Sequence, residues 1–219
     1  MHDLKILKKE AQEVLDISPL EDLNIDLLDG IVEQLTEKLD VCARIPIVSI
    51  FSAIHKVSKS FFDYKMCIRF LKFYLGCENI NQEKRDKFYK RNVFGKEEDI
   101  GYKFIQLLDR LDADEKALLI GKLFAYCIEN EHDINTYFRI CRSIEKCYYD
   151  DLRFLVHWKS KETICSQNKL IPQEIMESLY SGGLLSECGF NGGGFKVDDD
   201  SGTIYALNKF GGILLNIIT

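Results

Sequence analysis

Leu4, Leu7, Ala11 and Leu15 recur at three- and four-residue intervals, the spacing of one helix face, so the pattern predicts an amphipathic helix at the start of the chain. Ser18-Pro19-Leu20-Glu21 then offers a Ser N-cap, Pro at the first helical position and Glu three residues on, which predicts a second helix running to about Leu39. Its stripe is Leu28, Ile31, Val32, Leu35 and Leu39. Pro46 breaks the pattern and opens a third helix through Phe51, Ile54 and Val57.

The stretch from Phe61 to Leu75 is apolar nearly all round, with Lys65, Arg69 and Lys72 as a polar seam, which predicts a central helix. Asn79 to Asn92 is charged and reads as an exposed helix or loop. Ile100, Phe104, Leu107, Leu108 and Leu111 form a further stripe, after which Asp112 with Glu115 three residues on restarts a helix to about Glu129. Asp133 caps another, with Ile134, Tyr137, Phe138, Cys141 and Ile144 inward. This gives about seven helices and no strand before Tyr149.

The pattern changes after Asp150. Residues 151–158 predict one short helix, 159–170 read as irregular, and Pro172 opens a helix that stops at Gly182-Gly183. Phe195 and Val197 alternate, Asp198 to Gly202 supplies turn chemistry, and Ile204, Tyr205 and Leu207 complete a hairpin before a last helix, Phe210 to Ile218. The expected fold is mainly α: a multi-helix bundle over 1–150 with a small winged-helix-like α+β module over 151–219.

Charge alters this picture because it comes in blocks. Residues 1–40 hold 4 basic and 11 acidic side chains, net −7, whereas 41–92 hold 11 and 4, net +7. Neighbouring blocks of opposite sign neutralise one another if they fold together. Otherwise the basic block faces an anionic partner. The candidate basic face is Lys65, Arg69, Lys72, Lys84, Arg85, Lys87, Lys90 and Arg91, interleaved with Phe88 and Tyr89. Such a face suits an acidic protein, RNA or lipid headgroups.

Other chemistry is sparse. The eight cysteines are never two to four residues apart, so no zinc pair forms at the usual spacing; buried free thiols are expected. Glu129-x-x-His132 is one copy of an element that di-iron bundles need twice. Asp198-Asp199-Asp200-Ser201-Gly202 lacks the distal Glu of a calcium loop, and Gly192-Gly193-Gly194 is followed by no Gly-Lys-Ser/Thr. No nucleophile with an adjacent base stands out, so neither a catalytic residue, a metal nor a cofactor is expected. The helix after Pro172 presents Gln173, Glu174 and Glu177, the wrong sign for duplex DNA. Met1 to Glu10 lacks an apolar signal core and Ile45 to Val57 is too short to span a bilayer, which favours a soluble cytoplasmic protein.

The chain also resembles a loosely defined set of uncharacterised helical proteins with winged-helix-like tails, carried by bacterial prophages and other mobile elements. The residues that carry the resemblance are Ile45-Pro46-Ile47, Leu108-Asp109-Arg110-Leu111-Asp112 with Lys116 and Leu123-Phe124, and Tyr180-x-x-Gly183-Leu184-Leu185. The resemblance implies a setting of phage defence or superinfection immunity, and transfers no catalytic residue. The expectation is a non-enzymatic interaction or regulatory protein that binds a partner protein, with homo-oligomerisation left open. The alternatives are a membrane-active effector using the apolar hairpin 47–75, and a winged-helix DNA-binding regulator.

Overall fold

A computed structural model describes residues 61–77, 80–192 and 201–219. The helices expected before residue 61, and the turn aspartates Asp198 to Asp200, lie outside the described residues, as do Phe195 and Val197. Among the described residues the chain is mainly helical. Five helices come first: α1 (Phe61–Gly76), α2 (Gln82–Asn92), α3 (Glu97–Asp109), α4 (Glu115–Glu129) and α5 (Ile134–Lys146). The short α6 (Tyr149–Leu152) runs into a 3-10 helix, Arg153–Lys159. After it come β1 (Thr163–Cys165), α7 (Gln173–Ser181), β2 (Leu185–Asn191), β3 (Gly202–Leu207) and α8 (Lys209–Ile218).

The pairing of α1 with α4 organises the bundle. Gly76 and Gly121 face each other where the two helices cross, and a methyl group on Gly121 would run into the carbonyl of Phe73. Two glycines thus allow backbone to touch backbone, at the usual price of helix propensity. Around the crossing lies an aromatic core. Phe104 packs on Phe73, Phe124, Tyr137 and Phe138 with ring centroids 5.2–5.5 Å apart, and Phe124 also meets Phe88 at 5.5 Å. Edge-to-face pairs of this kind add roughly 0.5–1.5 kcal/mol each beyond area burial.

Two buried cations hold the corner between α3 and α4. Arg69 donates to the carbonyls of Leu108, Asp109 and Leu111, the open C-terminal end of α3, and pairs with Asp114 at 2.9 Å. Lys116, wholly buried, donates to the carbonyls of Glu145 and Cys147 at the end of α5 and pairs with Asp112 at 2.6 Å. Cationic side chains on helix C-termini satisfy the last carbonyls and oppose the negative end of the dipole. Asp112 was the expected N-cap of the next helix. Lys116 takes the Asp112 carboxylate, and Asp114 stands at the N-cap position without a side-chain cap bond, its own carboxylate being paired with Arg69. Asp133 does cap its helix, accepting from Thr136 N at 2.8 Å.

The C-terminal part holds a three-stranded antiparallel sheet ordered β1-β3-β2. The structure departs from the sequence reading twice. β1 lies inside the stretch expected to be irregular, and β2 starts at Leu185, immediately after the helix end, with a bulge between Glu187 and Gly189. Six of its seven residues are exposed, so it lacks the apolar alternation that marks a half-buried strand. The expected short helix 151–158 is observed as α6 and the 3-10 turn. Trp158 in that turn donates its indole N–H to the Tyr205 carbonyl at 3.3 Å, tying it to β3. The core is continuous, from Met66 and Phe70 in α1 to Tyr205, Ile213 and Leu214.

Candidate functional site

The eight residues of the basic block separate into two groups. Arg69 and Lys72 are turned inward on α1, 2% and 8% exposed, and are consumed at the α3–α4 corner: Lys72 pairs with Glu115 at 3.1 Å, beside the Arg69–Asp114 pair. Neither reaches an outer face. Lys65 is carried by α1, but its side chain lies outside the described residues. The other five, Lys84, Arg85, Lys87, Lys90 and Arg91, sit on α2.

The sequence positions α2 locally. Asn81 caps it, its side chain accepting from Glu83 N and Lys84 N. The buried Phe88 anchors the helix on Phe124, so Lys84 and Arg91, four before and three after it, stand on its side of the helix, and Lys87 borders that side. Lys84, Lys87 and Arg91 then line a cleft against the turn between α4 and α5, which also presents Glu131 and His132. Phe88 and Ile128 form its apolar floor. Lys90 and Arg91 are exposed, and the Nη2 of Arg85 donates to the Ile80 carbonyl at 3.4 Å.

The turn brings carboxylates to these cations. Lys84 pairs with Glu129 at 2.6 Å and Lys87 with Glu131 at 2.7 Å. The Lys84 hydrogen bond holds the Glu129 carboxyl below the usual range, and the Lys87 bond does the same for Glu131. Asp133 is lowered mainly by the Thr136 backbone N–H, with Arg91 adding a smaller pull. Glu131 sits at φ 57°, in the left-handed region that a non-glycine side chain seldom adopts. With its carboxylates in place the cleft holds about 20 Å³, room for roughly one water.

His132 stacks on Tyr126, centroids 5.9 Å apart, while Glu129 of the same Glu-x-x-His element turns to Lys84. His157 lies against Phe154, 5.9 Å away, in an open groove of about 610 Å³ that also takes in Asp150, Arg153, Val156 and Ile218. The sequence reading missed this groove, since nothing in the spacing of those residues marks them as neighbours of Ile218. Ser178 donates to Asp151 at 2.6 Å. Cys77, Cys127, Cys141 and Cys147 are buried free thiols; burial pushes Cys127 up to about 12 and Cys147 to about 11. Among the described residues, no group of three His, Cys, Asp or Glu side chains gathers as a metal site.

On the polar side of α7, Gln173 bonds Glu177 at 2.8 Å and Glu174 is exposed. Among the described residues no helix is long and apolar enough to cross a membrane, and Met66, Phe70 and Phe73 of α1 are buried in the core. The chain matches no family model, no curated protein and no solved structure.

Proposed function

We propose that the protein is a non-enzymatic interaction or regulatory protein of a bacterium or phage, and that it binds a carboxylate-bearing partner protein through the exposed face of α2. One observation carries this reading: Lys87 already holds the Glu131 carboxylate in an exposed pair, beside the half-buried pair of Lys84 and Glu129. Exposed pairs contribute roughly 0–1 kcal/mol, so an incoming acidic segment can take over Lys87 at little cost, with the exposed Lys90 and Arg91 beside it. The apolar floor of Phe88 and Ile128 then adds contact that an isolated charge lacks. The setting in phage defence, counter-defence or superinfection immunity rests on the resemblance of the sequence alone.

The C-terminal unit supports a second, structural reading. The order α7, tight glycine turn, β2, β3, with β1 on the far side of β3, supports the winged-helix-like reading of residues 151–219. The exposed Glu174 and Glu177 turn that unit away from a phosphate backbone, and winged helices also serve as protein docking modules.

The test is a titration of the full chain with a polyglutamate peptide, duplex DNA and anionic vesicles, in the wild type and in Lys87→Glu/Lys90→Glu/Arg91→Glu. Peptide binding that the triple change abolishes, with melting temperature retained, supports the reading. DNA binding with a steep salt dependence favours the winged-helix regulator instead, and vesicle leakage favours the membrane-active effector. Plaque counts on a host with and without the gene test the setting.

A further inference from the structure

The groove beside the 3-10 helix carries an interaction of a different kind. Asp150 and Arg153 are three residues apart on the run from α6 into the 3-10 helix, so both stand on one face. In 3-10 geometry side chains three apart eclipse, which stacks Arg153 over Val156 and Phe154 over His157. Ile218, near the end of α8, closes the other side. Asp150 and Arg153 are exposed, and among the described residues neither side chain has a hydrogen-bond or ion-pair partner. In the basic cleft on α2, by contrast, Lys84 and Lys87 already hold carboxylates of the neighbouring turn.

We propose that this groove is a two-fold interface with a second copy of the chain. In such an interface residue i meets residue j and j meets i, so a surface must complement itself. A face with one carboxylate and one guanidinium a helical turn apart does so. Turned about a two-fold axis between them, Asp150 meets Arg153 of the second copy and Arg153 meets Asp150 of the second copy, while Phe154, Val156 and Ile218 close on their equivalents. A partner of a single charge sign would satisfy one of the two groups and oppose the other. Phe154 and Ile218 are half-buried and Val156 is 40% exposed, so apolar area is present to be covered. Six lining residues make a contact patch well below the roughly 1,200 Å² at which stable specific interfaces begin, and the dimer is accordingly a weak, concentration-dependent one.

The experiment is sedimentation equilibrium on the full chain over a wide concentration range. Wild type should move from one chain mass towards two. Asp150→Arg and Arg153→Asp each set like charges opposite one another, and each should raise the dissociation constant by about tenfold or more. The double swap Asp150→Arg/Arg153→Asp should return it close to wild type, and Val156→Asp should abolish association, all with unchanged melting temperatures. The α2 triple variant should dimerise as wild type does, so failure here and failure of the proposed function are separable. A single chain mass at every concentration overturns the proposal, as does a dimer indifferent to both single changes, or a double swap that folds yet fails to restore association.

Discussion

The ammonium of Lys116, at the start of α4, donates to the main-chain oxygen of Cys147, 31 residues further along, where α5 has ended. It also reaches Glu145 O at 3.3 Å and Asp112 at 2.6 Å, so a wholly buried lysine has three acceptors. Replacing a buried ion pair with apolar groups is often neutral, but removing one member strands the rest. Lys116→Met keeps the length of the side chain and leaves two main-chain oxygens without their donor. Chemical denaturation should show a loss of about 3 kcal/mol. A loss under 1 kcal/mol would mean that water or a shifted loop replaces the ammonium.

Gly121→Ala tests the helix crossing. Alanine favours a helix over glycine by about 1 kcal/mol, yet its methyl group would meet the Phe73 carbonyl, which is main chain and unable to rotate aside. The expected net effect is destabilisation by about 2 kcal/mol or more, read as a lower urea midpoint. Gly212→Ala, where nothing stands within contact, is the control and should hold or raise that midpoint.

Tyr137→Phe is expected to go the other way. The ring is wholly buried among Phe104, Phe124 and Phe138, and its hydroxyl has no nitrogen or oxygen partner, lying against the Cys141 thiol. Burial pushes that hydroxyl well above its usual range, so it stays protonated. Removing an unsatisfied buried hydroxyl while keeping the ring should leave stability unchanged or raise it by about 1 kcal/mol. A clear drop in thermal melting would show that the contact with sulfur is a real hydrogen bond.

Acid should unfold the protein within a defined window. Glu129 and Glu131 are lowered by their lysines, and Asp133 by the Thr136 amide. Asp112 is lowered as well: burial alone would raise it, and the hydrogen bond and charge of Lys116 outweigh that. Folded values below unfolded ones mean stability that is complete above the unfolded carboxylate range, near pH 4, and lost as pH falls through the folded values. The urea midpoint should stay flat from pH 7 to about 5 and decline below about 4. Asp133→Asn should shallow that decline; a decline already under way at pH 6 would point to a different titrating group.

The helices were legible from their apolar positions: α1, α3, α4, α5, α7 and α8 lie within a few residues of the stretches that predict them, with a cap or proline marking the start of α4, α5 and α7. The corner Leu108 to Lys116 stood out in the sequence as a motif without a role. The structure shows it as the place where Arg69 and Lys116 close two helix ends. That could not be read from spacing, since the partners lie 29 to 45 residues away. For the same reason the basic block looked uniform, although Arg69 and Lys72 face inward, Lys84 and Arg85 are half-buried, and Lys87, Lys90 and Arg91 are exposed. β2 was missed because six of its seven residues are exposed, and β1 because three residues are too few to show a period. The groove at Asp150 and Arg153 depends on Ile218, which only the fold brings near.

Trp158 is the chain's single tryptophan, and its indole N–H is spent on the main chain of β3. Its emission is therefore an optical reporter with one address. If the sheet comes away from the 3-10 helix before the helices around Phe104 melt, fluorescence will shift while far-ultraviolet ellipticity still reads helical, so two ordinary spectra divide the unfolding of this chain into its parts without any added label.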